Sequence, residues 1–275
     1  MIRRTFQLIP SVGPWRERDL WARGIESWDD FPAEGSGVGI SKRIDRVARA
    51  RIRECRAALA KRDLAELARL LPPREHWRLY ADFTQEAAFF DVEAEGVTVQ
   101  RPSVVSVFDS SGLAVFVRGR NLEELPRRLS RSRFWITFNG SCFDLPILNA
   151  CFEALEHPAV HLDLCFLARR LGLGSGLKDM EERLGIGRPP HLKSLNGFDA
   201  IALWRTYERE NSIDALRFLV EYNLYDAFQL RSLADILYNR AADRLAFDER
   251  VPVFDRGELL YDVSKLLLNL EQQGG

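Results

Sequence analysis

Short apolar runs bounded by turn residues occupy the middle of the chain, and their lengths predict strands. They cover residues 88–94, 103–108, 113–117, 134–138 and 161–164. The first run, Ala88-Phe89-Phe90-Asp91-Val92-Glu93-Ala94-Glu95-Gly96, is apolar on both faces until its end, which predicts a buried central strand. The second and third are joined by Asp109-Ser110-Ser111-Gly112 and read as a hairpin. Elsewhere the period is helical. Residues 41–70 carry Ile44, Val47, Ala48, Ile52, Cys55 and Leu59 on one face, and Pro72-Pro73 ends the pattern. Further helices are predicted over 121–131, with Asn121 as N-cap, and over 143–155. Helical patterns then continue to about 239, interrupted by a loop over 185–196. Three meandering strands followed by helix, strand, helix and strand predict an α/β fold, a mixed five-stranded sheet with an antiparallel part.

Residues 1–40 are irregular, but Phe6, Trp15, Trp21, Trp28 and Phe31 are too many large apolar groups for a disordered tail. They predict a segment packed as a cap. The expected organisation is an N-terminal extension over 1–84, a main domain over 85–240, and a helical tail over 241–275 with Leu259, Leu260, Val263, Leu266, Leu267, Leu268 and Leu270.

Composition narrows this only a little. A chain of 275 residues with 46% hydrophobic content suits one large domain with an appendage. No run approaches a membrane span, and the first residues lack the apolar core of a signal peptide, so a cytoplasmic protein without a membrane partner is expected. Cys55, Cys142, Cys151 and Cys165 show no paired spacing and read as reduced packing residues. The net charge of −1 conceals a basic helix between Lys42 and Arg62. Its arginines Arg46, Arg49, Arg53 and Arg56 share one face, which is either solvated or a track for a polyanion.

Three stretches bear chemistry. Asp91 and Glu93, spaced i and i+2, project from one face at the end of a dry strand, where they repel unless a proton or cation intervenes. Asn139-Gly140-Ser141-Cys142-Phe143-Asp144 closes the fourth strand, with Asp144 in the first turn of the next helix. Tyr222 and Asp226, at i and i+4, share one face of a late helix. Each has a bland alternative: a solvated strand end, a carboxylate favoured by a helix dipole, an exposed helix face.

Together, in this order, the three stretches resemble the DEDDy 3′–5′ exonucleases of the ribonuclease H-like fold. Asp91 and Glu93 match the first motif, Asn139, Gly140, Phe143 and Asp144 the second, and Tyr222 with Asp226 the third. Within that group the chain looks most like the YprB-like predicted exonucleases, through Leu20-Trp21-x-x-Gly24-Ile25-x-x-Trp28, Leu177-Lys178 and Leu184-Gly185-Ile186. An all-carboxylate donor set suits Mg²⁺ or Mn²⁺. The resemblance implies a two-ion site, with Asp91 bridging, Glu93 and Asp226 completing the tighter position, and Asp144 serving the second. Tyr222 would orient the attacking water, since a phenol is a poor base at neutral pH. Asn139 would contact substrate or shape its turn.

The implied activity is hydrolysis of phosphodiesters from the 3′ end of DNA or RNA, single-stranded ends favoured. A nucleic-acid-binding module and a structure-selective endonuclease are the alternatives, and oligomeric state is left open. Residues 172–178 lack phosphate-loop spacing and read as a helix connection. His161 and Asp163 are expected to play a structural part near the site, and Asp109 to belong to the hairpin turn.

Overall fold

In the computed structural model, which describes residues 1–32, 42–96, 101–174, 176–255, 265, 266 and 268, the five apolar runs form one sheet. Its strands are β1 (Ala87–Ala94), β2 (Pro102–Asp109), β3 (Gly112–Val117), β4 (Phe134–Thr137) and β5 (Val160–Asp163). Their order is β3-β2-β1-β4-β5. β1, β2 and β3 pair antiparallel, while β4 runs parallel to β1 and β5 parallel to β4. This is the expected mixed α/β sheet. Asp109 Oδ1 accepts from Ser111 N at 2.7 Å, which closes the hairpin.

The chain divides into two compact units, Met1–Thr84 and Gln85–Gly275. The first is helical, with α1 (Pro14–Ala22), α2 (Lys42–Ala60), α3 (Leu64–Leu70) and α4 (Tyr80–Phe83). The single helix expected over 41–70 breaks at Arg62, which adopts φ 52°, and Asp63 caps α3 by accepting from Glu66 N at 3.1 Å. Ala48, Ile52 and Cys55 are buried as the pattern predicts, whereas Val47 is exposed and the Ile44 side chain lies outside the described residues. Phe6 and Trp28 are buried, but Trp15 is 77% exposed and takes no part in that packing. Buried Glu17 accepts from Thr5 Oγ1, Phe6 N and Gln7 Nε2 and pairs with Arg78 at 2.9 Å. A buried charge so partnered is tolerated.

In the second unit, helices cover both sheet faces. α5 (Leu125–Leu129) and α6 (Asp144–Cys151) cover one, where Ala88, Phe90, Val92 and Ala94 of β1 meet Leu125, Leu129, Ile147 and Leu148. α9 (Gly197–Glu210) and α10 (Ile213–Arg244) cover the other with Trp204, Leu216, Leu219 and Val220. In chain order α7 (Leu164–Arg170) and α8 (Leu177–Arg183) come before α9, and Gly172, Leu173, Gly174 and Gly176 lie in the connection expected over 172–178, whereas Leu177 and Lys178 already open α8. Two helices are shorter than their periodicity suggests. α6 ends at Cys151 because the chain turns there to pack Phe152 and Leu155 on the core. The 121–131 segment begins as a 3-10 turn, and Asn121 serves the hairpin instead, accepting from Val117 N at 2.8 Å and donating to Val115 O at 3.0 Å. Residues 241–244, expected in the tail, finish α10. Leu266 packs on the α9/α10 side of the core, and the other apolar positions expected at 259–270, Leu268 excepted, lie outside the described residues. All four cysteines are free. Cys55 and Cys165 are packing residues, but Cys142 and Cys151 are exposed.

Candidate active site

β1 outruns its neighbour. It pairs with β4 only over residues 87–89, so residues 90–94 pass beyond β4 while remaining paired with β2. The unpaired Val92 N–H on that side donates to Asp144 Oδ1 at 2.9 Å, so the second motif docks on the first through a backbone hydrogen bond. Alternation along β1 turns Asp91 and Glu93 toward α10. There Asn223 Nδ2 donates to Asp91 Oδ2 at 2.8 Å.

The turn after β4 is held by Asp163 at the end of β5. Its carboxylate accepts from Asn139 N at 2.8 Å, Ser141 N at 3.0 Å and Cys165 N at 3.0 Å. Thr137 Oγ1 lies 2.8 Å from His161 Nε2. The structural part expected of His161 and Asp163 is thus what they play. Asn139 takes φ 62°, which a short polar side chain tolerates. Gly140 cannot carry a side chain: a Cβ would collide with Thr137 and sit 3.0 Å from Asp144 Oδ2.

Asp91, Glu93 and Asp226 each present a carboxylate oxygen, and these oxygens lie within 4.8 Å of one another. The three motifs predicted from the sequence therefore converge, with Tyr222 beside Asp226 on buried α10. They line a pocket of about 790 Å³, together with Phe138, Asn139, Phe143, Asp144, Phe198 and Ile201. The carboxylates titrate high. Burial pushes Asp91 up to about 6, with Arg188 and the Asn223 hydrogen bond opposing. Burial raises Glu93 well above its usual range, and repulsion from Asp91, Asp226 and Asp144 adds to it. Asp144 is raised by burial and then by Asp91. Burial also raises Asp226 against the pull of Arg188. Such a cluster needs protons or a cation, and oxygen donors of this kind fit a hard divalent ion.

The family model RNase_H_2, described as RNase_H superfamily, matches residues 88–238, which run from β1 into α10 and include all three motifs. The chain belongs to the ribonuclease H superfamily. No curated protein and no solved structure matches it. Ribonuclease H-like membership implies a metal-dependent nuclease with a nucleic-acid substrate, and members typically use divalent metals, for which the cluster of Asp91, Glu93 and Asp226 offers oxygen donors. Among the described residues no helix is long and apolar enough to cross a membrane.

The basic helix is only partly available. Arg49 pairs with Asp45 at 2.8 Å and lies over Phe31, and Arg56 bonds Trp28 O at 2.6 Å and Asp29 Oδ1 at 2.7 Å. These two tie α2 to residues 28–31, whereas Arg46 and Arg53 are exposed. Two site residues went unread in the sequence. Phe198 is 77% exposed at the pocket, and its backbone N–H is bonded within the Asn196/Asp199 capping box that opens α9. An aromatic just inside an Asn-x-x-Asp cap is a signal that could have found it. Arg188, in the loop before α9, pairs with Asp226 at 2.7 Å, and nothing local marks it.

Proposed function

We propose that this ribonuclease H-like protein is a 3′–5′ exonuclease of the DEDDy and YprB-like kind, removing nucleotides from single-stranded ends with two Mg²⁺ or Mn²⁺ ions. The observation that carries the reading is the convergence of Asp91, Glu93 and Asp226 oxygens beside Tyr222. Asp91, Glu93 and Asp226 would hold one ion, and Asp144, one of whose oxygens already accepts from Val92 N, would serve the second. When bound, the ions supply Lewis acidity that makes water a nucleophile and offsets charge on the leaving 3′ oxygen. Tyr222 keeps its proton at neutral pH, because burial and then Asp226 and Glu93 raise its pKa. It therefore positions the attacking water by a hydrogen bond and does not act as the base. Attack at phosphorus breaks the P–O3′ bond and releases a 5′-mononucleotide.

The test is digestion of 5′-labelled single-stranded DNA and RNA with Mn²⁺, alongside a circular single strand. A ladder shrinking from the 3′ end, with the circle intact and EDTA silencing the reaction, is expected. Cleavage of the circle would replace the reading with an endonuclease. Intact substrate throughout would leave only a binding module.

Phe198 and Phe143, which both line the pocket, offer stacking surfaces for the terminal bases. Base–aromatic stacking contributes about 1–3 kcal/mol. Phe198→Ala is therefore expected to raise KM by about tenfold with kcat held, and an unchanged KM would remove it from the substrate path. Arg46 and Arg53 remain the candidates for backbone contact outside the pocket. Changing both to Ala should flatten the dependence of log K on log salt by roughly 0.7 per arginine, measured on a single-stranded oligonucleotide. An unchanged slope would exclude them.

A further inference from the structure

The carboxylate site already has a cation built against it. Arg188 pairs through Nη2 with Asp226 Oδ1 at 2.7 Å and through Nε with Glu181 Oε2 at 3.2 Å. Its guanidinium carbon stands 4.6 Å from the centre of the Tyr222 ring. All three charged side chains are almost wholly buried. Arg188 does not line the pocket, whereas Asp226 and Tyr222 do. The guanidinium is thus buried against the two α10 residues without itself lining the pocket.

The loop that carries it is strapped along one face of α10. Leu192 is buried in the core, and His191 Nε2 lies 2.8 Å from Glu221 Oε1. The Gln229 amide, oriented so that both of its ends are satisfied, donates to Glu181 Oε1 at 3.1 Å and to Ile186 O. One turn after another, positions 222, 226 and 229 of α10 meet this loop. Arg188 is therefore held in place by packing and cannot leave without unpicking the strap.

We propose that Arg188 is a positioning residue that acts as a resident cation: it holds Asp226 and Tyr222 in place before a divalent ion arrives, and it limits how tightly that ion binds. The inference rests on the metal-dependent reading above. The 2.7 Å ion pair and the guanidinium packed on the Tyr222 ring fix both side chains where they face the pocket, so an entering ion meets a ligand already in place. The same charge repels the ion, which keeps binding reversible. A purely structural ion pair would do only the first.

The experiment is Mn²⁺ titration of the 275-residue chain by calorimetry, with thermal melts in EDTA and in saturating Mn²⁺, for the wild type, Arg188→Met and Arg188→Lys. Loss of one neighbouring charge is worth about tenfold or more in affinity for a charged species. Arg188→Met should therefore bind Mn²⁺ about tenfold tighter and melt lower than wild type in EDTA, with the gap closing in Mn²⁺. Arg188→Lys should restore wild-type affinity. If the Met protein does not fold, Arg188→Gln, which keeps polar contacts without the charge, gives the same comparison. Equal or weaker Mn²⁺ binding by the uncharged variants overturns the proposal while leaving the metal site standing. Absence of Mn²⁺ binding in the wild type overturns both.

Discussion

Asp91→Asn is expected to lower hydrolysis by about a thousandfold or more and, in the absence of metal, to raise the melting temperature by several degrees. The first effect follows from position. Asp91 is the carboxylate that acts on each of the others: it is grouped with Glu93 and Asp226 as a candidate ligand, and its charge raises Glu93, Asp144 and Asp226 alike. Removing it forfeits about 4 kcal/mol of transition-state stabilisation if it holds an ion. The second effect follows from repulsion. Asn keeps an oxygen for the Asn223 amide, which now donates at 2.8 Å, and deletes one buried negative charge. Stability gained and activity lost in the same substitution is the signature of a functional cluster, whose strain is held for chemistry. Rates on a labelled oligonucleotide and melts in EDTA measure the two arms. A variant both inactive and less stable would make Asp91 a structural residue.

How much of this could be read from the chain depends on how local each cause is. The strands are legible because their burial is written in short apolar runs, and β1 because both its faces are apolar. Asp91 and Glu93 share a face by alternation alone, and Tyr222 and Asp226 by helical spacing alone. The three motifs could be recognised together only through their order. What brings them into contact is the overhang of β1 beyond β4 and the Val92–Asp144 hydrogen bond, and register of that kind has no local signal. The break at Arg62 is invisible for a different reason. Its periodicity runs on, and only the αL conformation with the Asp63 cap interrupts it. Arg188 sits among Gly185, Gly187, Pro189 and Pro190, a composition that marks a loop and hides the one residue whose pairing matters. Its partners, Glu181 and Asp226, are 7 and 38 positions away, beyond any spacing rule. The basic stripe was the reverse case: four arginines on one face read as a single surface, yet two of them are spent holding the N-terminal segment.

The stability of the metal-free protein is expected to fall as pH rises from about 4 to 7, and Mn²⁺ is expected to abolish the fall. In the unfolded chain the carboxyls titrate near 3.8 and 4.5, whereas in the fold Asp91 is raised to about 6 and Glu93, Asp144 and Asp226 are raised as well. Between those limits the native state holds more protons than the unfolded state, so stability decreases with pH. The contribution is complete below the unfolded values and is lost as pH passes through the folded ones. For Asp91 alone the shift corresponds to on the order of 3 kcal/mol. His76 and His161, whose pKa values burial depresses, act in the opposite sense, because the unfolded state takes up the protons they refuse. The Asp91→Asn protein separates the two, since it keeps the histidines and loses part of the carboxylate slope. A divalent ion binds the deprotonated cluster, so its stabilisation grows with pH, reaching about 2.7 kcal/mol at a hundredfold excess over Kd. Melts in EDTA and in Mn²⁺ at half-unit steps between pH 4 and 7.5 measure this directly. A wild type whose EDTA profile tracks that of Asp91→Asn, or a Mn²⁺ shift as large at pH 4.5 as at pH 7, would mean that these carboxylates are neither mutually strained nor the site of the ion.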